Sequence, residues 1–144
     1  MATVIAVNCS TKKGVVKKPI LKGYFKMDHG LEGDAHGGNW HRQVSLLGRE
    51  SIAKVEAVIG HHLSPGVFAE NITTEGICLY TLPIGTCLKI GNAVLEVTQI
   101  GKECHSGCAI RQQTGDCVMP REGIFAKVVQ AGSIQSGDSI NIME

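Results

Sequence analysis

Short apolar runs, broken at regular intervals by glycine- or proline-bearing turns, set the pattern of this chain. Thr3 to Val7 predicts a first strand, and Lys12-Lys13-Gly14 the turn after it. Lys17 to Met27 follows no period, because Pro19 and Gly23 interrupt it. Gln43-Val44-Ser45-Leu46-Leu47 predicts another strand. Ile52, Val55, Val58 and Ile59 then recur at helical spacing, which predicts an amphipathic helix over Arg49 to Ile59 with Gly60 at its C-cap. Ser64-Pro65-Gly66 reads as a turn. Ile77 to Tyr80 and Cys87 to Ile90 predict short strands, and the Gly91-Asn92 turn joins the second of these to Ala93–Ile100 in an antiparallel hairpin. Residues 101–122 read as loop, with one short helical piece at Cys108 to Gln112. Ile124 to Val129 suits either a strand or a helical turn. Gly132 to Asp138 reads as paired turns feeding a closing strand, Ser139 to Ile142. Many short strands with one helix predict a mostly β fold: an antiparallel, partly closed β-barrel, or a distorted sandwich, with the helix on its outside.

Composition narrows the function classes. The chain has 144 residues, the size of one domain, and 18 of them are glycines, which suits tight turns and shaped loops. Fourteen Lys and Arg against 13 Asp and Glu leave a formal charge of +1, with no basic block at either tail, which argues against nucleic acid as the main partner. No apolar run reaches bilayer-spanning length and the first residues lack a signal-peptide pattern, so the expected location is the cytoplasm and no membrane partner is expected. In that compartment the six cysteines are expected to be reduced and to serve as packing, ligand or nucleophile.

Three segments carry candidate chemistry. Asp28 to His41 gathers Asp28, His29, Glu32, Asp34, His36 and His41 on a glycine-rich loop, a donor set suited to a metal, to acid–base work, or simply to capping turns. In Ser64 to Gly76, Asn71 is able to satisfy two backbone groups at once, and Glu70 to hold an arginine such as Arg42 or a ligand amine. In Gly101 to Cys108, Cys104, His105 and Cys108, with Cys117 further on, offer zinc ligands, although a single Cys-x3-Cys is a weak zinc pattern. Lys102 beside Cys104 would instead lower a thiol pKa if the two share a pocket.

Five blocks in order resemble the MOSC family, the fold of the molybdenum cofactor sulfurase C-terminal domain: Gly30-Leu31-Glu32-Gly33-Asp34-Ala35-His36; Arg42 to Leu46; Pro65 to Ile72; Gly101-Lys102-Glu103-Cys104; and Gly123-Ile124-Phe125 with Gly132 to Asp138. The resemblance implies one domain over residues 1–144, of a small bacterial type, with a β-barrel related to the pyruvate kinase insert. It implies molybdenum cofactor (molybdopterin) as the bound group, Cys104 as the functional thiol and molybdenum ligand, and Asp34, His36, Arg42, Asn71 and Lys102 as cofactor-binding residues. Neither an aminotransferase-like sulfurase domain nor an electron-transfer domain accompanies these blocks, so the expected partners are cofactor biosynthesis or sulfurase proteins, or an external reductase. Three readings follow: a cofactor-binding or sulfur-carrier module; a cofactor-dependent reductase of N-hydroxylated substrates; and a zinc-stabilised interaction domain.

Two site expectations come with this. Asp34, His36, Arg42 and Asn71 should converge at one end of the barrel close to Cys104, since they share only an unusual polarity in glycine-rich surroundings. Cys104 should be the working thiol, with Cys108 its rival, whereas Cys9, Cys78 and Cys87 should be buried or marginal packing residues with thiol pKa values near or above the ordinary one.

Overall fold

The structure, a computed structural model, describes residues 2–12, 15–101 and 119–143. The strands in chain order are β1 (Thr3–Cys9), β2 (Lys18–Ile20), β3 (Lys22–Lys26), β4 (Gly30–Leu31), β5 (Val44–Gly48), β6 (Ile72–Glu75), β7 (Cys87–Ile90), β8 (Ala93–Ile100), β9 (Ile124–Gln130), β10 (Gly132–Gln135) and β11 (Ile140–Met143). Helix α1 (Arg49–Ile59) lies between β5 and β6, a 3-10 turn occupies Leu79–Thr81, and a short helix α2 (Met119–Glu122) precedes β9.

An eight-stranded sheet runs in the order β11-β7-β8-β9-β5-β6-β1-β2, and β10-β3-β4 form a second sheet. The β7–β8 hairpin forms around Gly91-Asn92 with Ile90 opposite Ala93, as its sequence predicts. Along the β8–β9 ladder the register shifts twice, between Val94 and Leu95 and between Val97 and Gln99, and such irregularities bend and twist a strand. β5 and β6 are parallel, with Leu46 opposite Ile72. Parallel neighbours cannot be joined by a tight turn, so the helix that the sequence predicts is the crossover between them.

Bending does not close the sheet. Among the described residues β11 and β2 remain edges, so the expected antiparallel, partly closed barrel is corrected to a curved, open, mixed sheet covered by a smaller one. The nearest approach to closure is one bridge, Thr3 to Ser139, beside the bond from Val4 N–H to the Asp138 carbonyl at 2.8 Å. One apolar cluster fills the space between the sheets, around Val7, Phe25, Leu46, Ile72, Leu95 and Ile134. A second lies under α1, where Ile52 and Val55 pack on Leu47, Phe68 and Phe125.

α1 ends as predicted, with Gly60 in the left-handed region (φ 82°) and its N–H bonded to the Glu56 carbonyl. Val58, expected on the packed face, is exposed, because it falls past the edge of the stripe set by Ile52, Val55 and Ile59. Two further expectations change. The run from Ile77 to Tyr80 is not a strand; its Leu79 is buried at the start of the 3-10 turn, where the Thr81 hydroxyl donates to the Cys78 carbonyl. Gly132 to Gln135 is not a turn but β10, paired with β3 through Ile134 opposite Gly23. The helical piece expected at Cys108 to Gln112 lies outside the described residues.

Candidate functional site

The end of β1 and the start of β6 meet at a set of buried polar side chains. Val7 lies opposite Ile72, so Asn8 and Asn71 sit next to each other just past the ladder, and the Asn8 N–H donates to the Asn71 carbonyl at 2.7 Å. Asn71 Oδ1 accepts from the Ser45 N–H at 3.0 Å, while its amide donates to the Asn8 carbonyl at 3.3 Å. One side chain thus ties β5 to β1 and satisfies two backbone groups. Asn8 in turn donates to the Glu70 carbonyl and to Thr73 Oγ1. All of these residues are buried, where an unmade hydrogen bond is costly.

Asp34 enters this corner from the glycine-rich loop. Its Oδ1 accepts from the Ser10 N–H at 3.1 Å and from Lys17 Nζ at 2.7 Å, and its Oδ2 from the His36 N–H at 3.1 Å. Burial alone would raise the Asp34 carboxyl, but the hydrogen bond and charge of Lys17, with help from Ser10 and Asn71, bring it below the usual range. Lys17 also reaches His36 Nδ1 at 3.1 Å. Its backbone is pinned by a bond from its N–H to the Gly66 carbonyl at 2.8 Å. At Gly66 (φ 89°) a Cβ would run into the Lys17 carbonyl, so close approach of the two segments requires glycine there.

Glu70 is buried and makes no ion pair with Arg42. Its carboxyl accepts from the N–H groups of Gly66 and Phe68 and from the Thr73 hydroxyl, which staples the turn that carries Ala69 at φ 64°. Burial pushes its pKa up despite these bonds.

Arg42 stands one aromatic ring away from His36. Its guanidinium lies 4.9 Å from the centre of the Trp40 ring and 5.7 Å from that of Phe125, and the Trp40 indole N–H donates to the His36 carbonyl at 2.9 Å. Arg42 Nε is buried and makes no hydrogen bond among the described residues. Nearby, His41 pairs with Gln99 Oε1 at 2.8 Å, and the Thr98 hydroxyl donates to the His41 carbonyl.

Asp34, His36 and Asn71 are therefore gathered into one corner, and Arg42 is linked to it through Trp40. Lys102, Cys104, Cys108 and Cys117 lie outside the described residues. The base of their segment is described: the Gly101 N–H donates to the Gly123 carbonyl at 2.7 Å. Ile100, Ile124, Leu46 and Ile72 lie in one row across four neighbouring strands. Three strand spacings, about 15 Å, separate Ile100 from Ile72 beside Asn71.

Sequence reasoning passed over Lys17, Asn8, Ser45 and Trp40. Lys17 carries no local signal in Lys17-Lys18-Pro19, and only strand pairing brings it to Asp34. Trp40 did carry one, as the single tryptophan of the chain, on a loop and two residues from Arg42. The cysteines need one correction: Cys78 is exposed rather than packed, beside a cleft of about 250 Å³ that it lines with Lys54, Tyr80 and Glu122. Cys9 and Cys87 are half-buried, and the Cys9 thiol is pushed up by burial and by the Asp34 charge. Among the described residues no three His, Cys, Asp or Glu side chains are grouped to hold a metal ion, and no helix is long and apolar enough to cross a membrane.

A family model described as the MOSC domain matches residues 32–141. No curated protein sequence matches the chain. Among solved structures, it is similar to the YUAD protein from Bacillus subtilis (20% identity, TM-score 0.78, covering 97% of this chain and 94% of that one). It is also similar to YiiM from Geobacillus stearothermophilus (20%, 0.75, 100% and 76%) and to YiiM from Escherichia coli (17%, 0.73, 100% and 70%). At these identities the likeness is one of fold.

Proposed function

This chain belongs to the MOSC domain family, and from that premise we propose that it is a molybdenum cofactor-binding or sulfur-carrier module that works with cofactor biosynthesis or sulfurase proteins. The observation that carries the reading is Arg42, a cation clamped against Trp40 with its Nε buried and unpaired among the described residues. A buried donor of this kind suits an anionic ligand, since an oxyanion would supply the missing acceptor. The neighbouring corner adds His36, and Asp34 and Asn71 hold that corner in shape. These donors suit the oxygen-rich, anionic part of a phosphorylated pterin, and the likeness of Gly101-Lys102-Glu103-Cys104 to the family pattern makes Cys104 the protein's proposed molybdenum ligand. When bound, the cofactor would supply a soft metal centre able to take a thiolate and to exchange sulfur. Lys102 would stabilise the Cys104 thiolate.

The test is anaerobic purification from a host that makes molybdenum cofactor, followed by molybdenum analysis and release of the pterin. The expected result is stoichiometric metal and pterin in the wild type, loss of both in Cys104→Ser, and partial retention in Cys108→Ser. Zinc in place of molybdenum, or full molybdenum occupancy in Cys104→Ser, would overturn the reading.

A further inference from the structure

The two sheets leave a polar cleft of about 490 Å³ between them, a volume in the range of small-ligand sites. One wall comes from the small sheet, where Lys22 on β3 lies opposite Gln135 on β10. The other comes from the edge of the large sheet, where Lys89 on β7 lies opposite Asn141 on β11. Directly opposed residues share a face of their sheet, so each wall presents an ammonium group beside a side-chain amide. Asp138 and Ser139, from the turn between β10 and β11, belong to the same lining.

We propose that this cleft is a second, anion-binding site, which takes a small oxyanion of the phosphate class between Lys22 and Lys89. It shares no residue with the Arg42 corner, and the inference goes beyond the cofactor reading. Among the described residues neither lysine makes an ion pair or a hydrogen bond, although Lys89 is half-buried. Two like charges facing one cleft repel, and an anion between them turns that repulsion into two charge-assisted hydrogen bonds. Asp138, the acid of the lining, lies within ion-pair distance of neither. Its Oδ2 accepts from the Gln135 N–H at 2.9 Å and packs against Gly91, where a Cβ would collide with it. The surrounding field has the same sign, since the first 27 residues carry six lysines and no Asp or Glu. Lys17 and Lys26 are paired, with Asp34 and Glu32, but Lys12, Lys18 and Lys22 are exposed without a carboxylate partner among the described residues.

The frame that carries these donors is tied down on both sides. The Asn92 N–H donates to the Ser133 carbonyl at 3.1 Å, and Gly132 packs so close to the Asn92 carbonyl that a side chain there is excluded. Bonds from the Val4 N–H to the Asp138 carbonyl and from the Ile140 N–H to the Ala2 carbonyl hold the turn at Asp138 and Ser139 against the start of the chain. Backbone already in place has little ordering left to lose on binding. Ser139 and Asn141 add neutral donors to the two cations. A tetrahedral oxyanion has enough acceptor atoms to meet all of them together, which a halide ion does not.

Amide NMR spectra of the ¹⁵N-labelled protein, titrated with inorganic phosphate and separately with chloride at matched ionic strength, test the site. Phosphate should give saturable shifts at Asn92, Ser139 and Asn141, and chloride should not. Lys22→Gln should weaken phosphate binding about tenfold or more, the worth of one hydrogen bond from a charged group. Lys22→Gln/Lys89→Gln should abolish saturation. Lys12→Gln removes the same charge from outside the cleft and should leave the phosphate constant unchanged. Lys22 is exposed, so its replacement spares the fold and carries the test even if the double variant is unstable. Glycerol 3-phosphate, run alongside, tells a free phosphate from one carried on a larger molecule by which of the two binds more tightly. Equal shifts with chloride, an unchanged constant in Lys22→Gln, or saturable phosphate shifts at the Arg42 corner and none at the cleft would overturn the assignment. The protein is used without molybdenum, so failure here is separate from failure of the cofactor reading.

Discussion

Lys17 Nζ sits 2.7 Å from Asp34 Oδ1 with neither side chain exposed to solvent. A buried ion pair adds little to stability compared with a well-packed apolar pair, but breaking it strands a charge. Lys17→Met should therefore destabilise the fold by about 3–5 kcal/mol. Lys17→Met/Asp34→Ala, with no charge left behind, should recover a large part of that loss. Urea midpoints at constant slope provide the check, and equal destabilisation of the single and double variants would contradict it.

The two buried carboxyls should tilt the pH profile in opposite directions. Asp34, which burial would raise, is held below its usual value by Lys17, Ser10 and Asn71. Its contribution is full above the unfolded Asp pKa, about 3.9, and is lost as pH falls through the folded value. Glu70 is pushed up by burial. In its case the folded state binds the proton more tightly, so stability falls as pH rises from the unfolded Glu value, about 4.3, through the raised folded one. Unfolding midpoints across pH should show Asp34→Asn flattening the acid limb and Glu70→Gln flattening the decline above it. A Glu70→Gln profile parallel to the wild type would count against a raised Glu70.

Asn71 is tied into the sheet whatever else it touches. Asn71→Ala removes the acceptor of the buried Ser45 N–H and the donor to the Asn8 carbonyl. Leaving such groups unpaired costs about 1–3 kcal/mol each. The variant should thus lose stability even without ligand, and an unchanged denaturation midpoint would show that water or relaxation replaces these bonds.

What could be read in the sequence was local. Helix α1 and the β7–β8 hairpin are each encoded within one short window, by a 3.6-residue stripe ended at Gly60 and by two apolar runs around Gly91-Asn92. Gly132 to Gln135 misled because its glycine and serine suit turns, whereas its strand conformation comes from β3, more than a hundred residues away in the chain. The parallel β5–β6 pair was hidden for a similar reason, since a helix between two strands does not reveal which neighbour each strand chooses. In the site, Asp34, His36 and Asn71 stood out as polar residues among glycines, and they do meet. Lys17 did not stand out, because a lysine that will be buried looks like any other until its carboxylate partner is placed.

Arg42 should separate ligand binding from stability. Its ring contacts at 4.9 and 5.7 Å are worth about 0.5–1 kcal/mol at a partly exposed position. Arg42→Lys keeps the charge but loses the planar stack and the Nε donor. It should lower cofactor occupancy in the purified protein while moving the unfolding midpoint by less than about 1 kcal/mol. Trp40→Ala should do the same by releasing the guanidinium. If either variant retains full occupancy, the stacked geometry is not what positions the donor.

Reactivity of the described cysteines should follow exposure and charge. Cys78 is exposed, whereas Cys9 is half-buried, with its thiol pushed up by burial and by the neighbouring Asp34 carboxylate. Thiolate is the reactive form, so both factors slow Cys9. Brief alkylation of the native protein near neutral pH, read by peptide mass spectrometry, should label Cys78 well before Cys9. Replacing Asp34 with Asn should speed Cys9, because one of the two charges acting on it is gone while Lys17 remains. Cys9 labelled ahead of Cys78 in the wild type would mean that the Lys17 ammonium outweighs burial and the Asp34 carboxylate. A labelled Cys78 is therefore expected from exposure alone, so the functional thiol has to be identified by bound molybdenum in Cys104→Ser and not by alkylation rate.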